Sequence, residues 1–82
     1  MSGSVTIRFF AGAARAVGTR ERTLPVSGPT PLGELVEALG ADAEGRRVLG
    51  LCSWLVDAVR AEPDAVVVPG ATVDALPPFA GG

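Results

Sequence analysis

The sequence closes on Leu76-Pro77-Pro78-Phe79-Ala80-Gly81-Gly82, and the group in that stretch best suited to enter a reaction is the α-carboxylate of Gly82. A carboxylate is a poor electrophile until it is coupled to a good leaving group such as AMP, so the chemistry open to it is activation followed by transfer. The residues before it suit delivery. Pro77 and Pro78 have φ fixed at about −65° and lack an amide hydrogen, which stops a preceding strand and holds the chain extended. Gly81 and Gly82 carry no Cβ and fit a slot too narrow for other residues. At ~3.3–3.6 Å per residue, segment 77–82 reaches at most ~20 Å, far enough to enter a partner's active site while the body docks outside it. Glycine-rich ends also occur as frayed termini or expression scars, and composition leaves both readings open.

Little else in the chain is equipped for catalysis. There is no His to serve as general base, and a single Cys, Cys52, makes neither an internal disulfide nor a zinc site. All seven cations are Arg, so an activated Gly82 meets no side-chain amine on this chain or on a copy of it. A net charge of −2 is not the footprint of a nucleic-acid binder. No apolar run approaches the ~18 residues of a membrane span, and Met1-Ser2-Gly3-Ser4 does not read as a signal peptide, so a cytoplasmic protein is expected. Eighty-two residues, 48% apolar and 20% charged, make one globular domain over 1–82, with one modest core and a flexible tail over 77–82.

The elements that must position the tail are read from periodicity. Val5 to Phe10 alternates, with Val5, Ile7 and Phe9 on the core face and Thr6, Arg8 and Phe10 on the other. Ala11 to Val17 is alanine-rich, interrupted at Gly12 and closed by Gly18, and reads as one or two helical turns. Glu21 to Val26 is a second strand, with Leu24 and Val26 in phase. Thr30-Pro31 predicts a helix start, Thr30 at the N-cap and Pro31 in the first turn; Leu32, Leu35, Val36 and Leu39 form its stripe and Gly40 its stop. Residues 41–50 suit either a short second helix or a charged loop. Leu51 to Val56 is a strand with Cys52, Trp54 and Val56 inward, and Asp57-Ala58 is its hairpin turn, strained because Ala takes the place of Gly. Val59 to Glu62 runs back, Val66 to Val68 is a short apolar stretch, and Thr72 to Leu76 is the last strand, with Val73 and Ala75 inward. One helix among runs of strands predicts an α+β fold with a mixed sheet.

Alternation also predicts a surface. Phe10, Leu55 and Leu76 fall on the side opposite the core positions of three strands, and a large apolar patch beside an extended arm marks a partner site. A one-residue slip of any strand would turn its member inward instead. Arg8 either rims this patch or is a solvated strand residue. Cys52 and Trp54 read as core residues, and Glu34, Glu37, Arg46 and Arg47 as solvated faces.

Ile7-Arg8-Phe9-Phe10-Ala11 with Arg15 and Gly18, Pro69-Gly70-Ala71-Thr72-Val73, and the terminal Leu76-Pro77-Pro78-Phe79-Ala80-Gly81-Gly82 together resemble the MoaD-type small subunit of molybdopterin synthase. The likeness spans essentially the whole chain. This family of ubiquitin-like β-grasp sulfur carriers, related to ThiS, implies a mixed sheet of four to five strands packed on one main helix. It further implies that a MoeB/ThiF-like adenylating enzyme uses ATP and magnesium to adenylate Gly82, next to Gly81, and that a sulfur donor converts the adenylate to a thiocarboxylate. A MoaE-like large subunit would then take the sulfur for molybdopterin. Phe10, Leu55, Leu76, Pro77, Pro78, Phe79, Ala80 and Arg8 are the partner-binding residues on this reading, and the chain holds no metal or cofactor itself. Asp57-Ala58 departs from the Asn-Gly-like turn of relatives. A carrier for thiamin, cysteine or secondary-metabolite sulfur, a ubiquitin-like modifier of target lysines, and an interaction domain using the patch alone are the alternatives.

Overall fold

The computed structural model describes residues 3–78. Its centre is a five-stranded sheet in the order β2-β1-β7-β4-β5, built from β1 (Gly3–Phe9), β2 (Glu21–Val26), β4 (Ser53–Val56), β5 (Val59–Ala61) and β7 (Thr72–Leu76). β1 and β7 run parallel and the other pairs antiparallel, so the sheet is mixed. A separate pair, β3 (Thr30–Pro31) with β6 (Val66–Val67), lies outside this sheet. Three helices of seven residues each complete the described elements: α1 (Ala11–Val17), α2 (Leu32–Ala38) and α3 (Ala43–Leu49).

The alternation read from β1 holds: Val5, Ile7 and Phe9 are buried, as are Val73 and Ala75 of β7 and Trp54 of β4. Leu24 and Val26 close the sheet's far side. Leu32, Leu35 and Leu39 are buried with this sheet face in one core, while Val36, the fourth member of the stripe, is half-buried. The core therefore lies between one face of the sheet and the helices, and the other face is left uncovered by them.

The start of α2 differs from the expectation. Pro31, not Thr30, stands at its N-cap, with no side-chain hydrogen bond to the first turn. Thr30 and Pro31 are instead paired with Val67 and Val66, and the Thr30 hydroxyl donates back to the Gly28 carbonyl at 2.9 Å. The main-chain donors of Leu32 and Gly33 are satisfied by the carbonyls of Ala65 and Pro63, so tertiary pairing replaces the cap. The stop is as expected, with Gly40 at φ 64°.

Residues 41–50 form a helix and not a loop. Asp42 caps α3 by accepting a hydrogen bond from the Gly45 amide at 2.9 Å. Gly45 lets α3 lie against α1: a Cβ there would stand 3.0 Å from the Ala41 Cβ and 3.3 Å from the Ala16 carbonyl oxygen. Gly12 does not interrupt α1, which runs through it to the left-handed Gly18.

Candidate functional site

The uncovered face is organised in rows that cross the sheet. Strand pairing sets Glu21, Arg8, Asp74, Leu55 and Arg60 side by side across all five strands. One pleat further along, Leu76 stands opposite Ser53, which makes it the diagonal neighbour of Leu55. Phe10 follows Phe9, the partner of Ala75, and so lies level with Leu76. The parallel pairing of β1 and β7 thus gathers Phe10, Leu55 and Leu76 at the end of the sheet where β7 gives way to Pro77 and Pro78.

Phe10 itself sits just past β1, at the junction with α1. Its amide donates to the Ala75 carbonyl at 3.2 Å and its carbonyl accepts from the Ala13 amide at 2.9 Å, so both main-chain groups are held. Ala11 then turns the chain with φ 47°, a conformation unfavourable for a residue bearing a Cβ. The ring remains 40% exposed. Leu55, Leu76 and Pro77 are half-buried, and Pro78 is exposed. Phe79, Ala80, Gly81 and Gly82 lie outside the described residues.

Arg8 borders the patch beside Phe10 and is not freely solvated. Its Nε donates to Asp74 Oδ1 at 2.7 Å and its Nη2 to Asp74 Oδ2 at 3.0 Å, a two-pronged match of guanidinium to carboxylate. Those hydrogen bonds, and then the carboxylate's charge, raise the Arg8 pKa above its ordinary value. The guanidinium carbon also stands 5.8 Å from the centre of the Phe10 ring. Asp74 is 8% exposed although it faces away from the core. Alternation puts Asp74, between the inward Val73 and Ala75, on this face, and opposite charges on the first and last strands are the signal for the pair once the two strands are known to be neighbours.

A groove of about 630 Å³ borders Phe10 and is lined by Arg8, Arg15, Arg20 and Glu21 together with α1. A second concavity, about 590 Å³, lies away from the patch between α2, α3 and β5. Cys52 is partly buried and its thiol donates to the Val48 carbonyl at 3.4 Å; burial pushes its pKa up, which keeps it a thiol and not a nucleophilic thiolate. Among the described residues no three His, Cys, Asp or Glu side chains cluster as metal ligands would, and no helix is long and apolar enough to cross a membrane.

No protein-family model and no curated protein matches the chain. Solved structures do. SAMP1 from Haloferax volcanii, a small archaeal modifier protein, superposes with a TM-score of 0.81 at 27% identity, covering 98% of this chain and 100% of that one. The chain is a ubiquitin-like β-grasp protein. The putative molybdopterin converting factor subunit 1 from Pyrococcus furiosus shares this β-grasp fold with a TM-score of 0.74 at 15% identity, covering 94% of this chain and 99% of that one. So does a chain from the complex of subunits 1 and 2 of the molybdopterin-converting factor of Helicobacter pylori, with a TM-score of 0.69 at 21% identity and coverage of 96% and 99%. The neighbours named are thus a small archaeal modifier protein and molybdopterin-converting factor chains, and the MoaD-type likeness is one of fold.

Proposed function

We propose that this β-grasp protein is a sulfur carrier whose Gly82 carboxylate is adenylated, converted to a thiocarboxylate and used as the sulfur-donating small subunit of molybdopterin synthase. The observation that supports it is the coincidence of patch and exit: the central strand β7 leaves the sheet at Leu76-Pro77-Pro78, beside Phe10 and Leu55. A body docked through that patch delivers the following residues, ending in Gly81-Gly82, into whatever lies ahead. A subunit 1 seated with subunit 2 in the Helicobacter pylori complex supports a MoaE-like partner for the same fold.

The steps balance without a catalytic side chain from the carrier. A Gly82 carboxylate oxygen attacks the α-phosphorus of ATP on a MoeB/ThiF-like adenylating enzyme, and magnesium pyrophosphate leaves. Hydrosulfide released by a sulfur donor then attacks the acyl carbon and AMP leaves with one former carboxylate oxygen, so that oxygen has been replaced by sulfur. The resulting thiocarboxylate, ionised at neutral pH, attacks a carbon of the pterin precursor on the large subunit and displaces an oxygen leaving group from it, and water then cleaves the acyl–sulfur bond, leaving sulfur on the pterin and returning the Gly82 carboxylate. Throughout, the carrier contributes reach, the reacting end and the docking face.

A second reading is favoured by one observation. The 27% identity to SAMP1 exceeds that to either molybdopterin factor named above, which supports a modifier joined through Gly82 to lysines of other proteins. Intact mass spectrometry of the protein isolated from its own cells separates the two. The carrier shows the gain of one sulfur in exchange for one oxygen; covalent adducts with other proteins and no such gain would establish the modifier.

A further inference from the structure

An ion pair at the edge of an apolar patch, in contact with it, calls for an explanation. Arg8 and Asp74 lie in the same row as Leu55 and one pleat from Phe10 and Leu76. Two apolar side chains at these positions would enlarge the patch, and a partly buried ion pair is weak evidence for stability, since apolar residues of similar volume often replace one at no loss. The pair is also unequally exposed: the Asp74 side chain retains 11% of its accessible surface, whereas that of Arg8 retains 49%. A guanidinium has five N–H groups. The Nε–H and one Nη2–H are directed at Asp74, leaving three donors that meet no acceptor among the described residues.

Any partner that covers Phe10, Leu55 and Leu76 also covers those three donors and strips their water. Left without acceptors, they would oppose the docking that the apolar residues favour. The charge around them selects the acceptor. Asp74 already neutralises Arg8, and Glu21 stands opposite Arg8 on β2, adding a second negative charge in the same row. Arg60 is three strands away from Arg8 in the sheet order. Arg15 and Arg20 line the groove beside Phe10 and form no ion pair among the described residues, so a partner carboxylate finds better cations there.

We infer that Arg8 is the polar specificity point of the docking face, that Asp74 is the residue positioning it, and that the partner seats an uncharged oxygen, a main-chain carbonyl or side-chain amide, on the free edge of the guanidinium. This rests on the docking face proposed above and adds the chemistry a partner must bring to it. A surface apolar enough for Phe10 but lacking such an oxygen is rejected, because docking would bury the guanidinium edge unpaired.

ATP–pyrophosphate exchange by the MoeB/ThiF-like adenylating enzyme of the same cells, measured against concentration of the full-length carrier, gives KM and kcat for each variant. The double variant Arg8→Leu with Asp74→Leu removes both charges at once and leaves neither unpaired. It is expected to melt as the wild type does and to raise KM about tenfold with kcat unchanged, the loss expected when a buried partner acceptor goes unpaired. Arg8→Lys, which keeps the charge but not the planar edge, is expected to raise KM in the same direction and serves if the double variant does not fold. The wild-type to variant KM ratio should hold between low and high salt, since an uncharged acceptor is not screened. A ratio that collapses in high salt would assign the acceptor to a carboxylate and overturn the inference. Leu76→Glu separates the levels: wild-type KM there removes the docking face itself, whereas a raised KM for Leu76→Glu with wild-type KM for both Arg8 variants removes only the role of Arg8.

Discussion

Ala58 carries the clearest local strain. The turn between β4 and β5 has positive φ at both centres, 47° at Asp57 and 69° at Ala58, as the two-residue hairpin read from the sequence requires. Asp57 makes use of its conformation: its amide donates to the Thr72 carbonyl at 2.8 Å and its carboxylate accepts from the Thr72 amide at 2.9 Å, extending the β4–β7 ladder. No such return exists for the Ala58 methyl. A left-handed residue with a Cβ costs ~1–2 kcal/mol, partly offset in glycine by greater freedom when unfolded, so Ala58→Gly should stabilise the protein by about 1 kcal/mol. A urea denaturation midpoint that fails to rise would contradict this. At Cys52 the expected effect is one of pH. The folded thiol pKa is raised by burial, so its contribution to stability is full below the unfolded thiol's pKa and is lost as pH rises through the folded value. Native Cys52 should therefore alkylate more slowly than the urea-unfolded chain at mildly alkaline pH, and Cys52→Ala should flatten the alkaline fall in stability; equal alkylation rates would show the thiol to be free.

Among the elements, those written in local pattern were legible in the sequence and those decided by distant partners were not. The period-two alternation of Val5, Ile7 and Phe9 and the spacing of Leu32, Leu35 and Leu39 each state one buried face, and both are buried. Thr30-Pro31 has the local chemistry of a helix start, yet Val66 and Val67, far along the chain, claim its backbone. Arg8 and Asp74, 66 residues apart, become neighbours only through the parallel β1–β7 pairing, which no local signal announces. Phe10, Leu55 and Leu76 were placed on one face by alternation, and that same pairing is what brings them to one end of it. Helix α3 was ambiguous because Gly45 weakens its propensity; the Asp42 cap and the seat against α1 decide it. Asp42→Ala should accordingly cost ~1 kcal/mol in urea unfolding, with Asp42→Ser recovering most of it. No loss on Asp42→Ala would mean that packing against α1 alone holds the helix.

For the whole molecule, the division of labour follows from the sheet having one covered and one uncovered face. The helices and Trp54 seal the first, and the second presents Phe10, Leu55 and Leu76 next to the Arg8–Asp74 pair, beside the point where β7 runs into Pro77. Stability and function are thereby separable: the core supports the sheet, while the residues after Pro78 are free to be chosen for chemistry. The central claim is that the Gly82 carboxylate is the group activated, and deletion of Gly82 tests it most directly. ATP–pyrophosphate exchange on the adenylating enzyme, run beside a thermal melt, should show exchange abolished and the melting transition unchanged, because terminal residues generally carry few contacts. Exchange at the wild-type rate with a folded chain lacking Gly82 would contradict the claim.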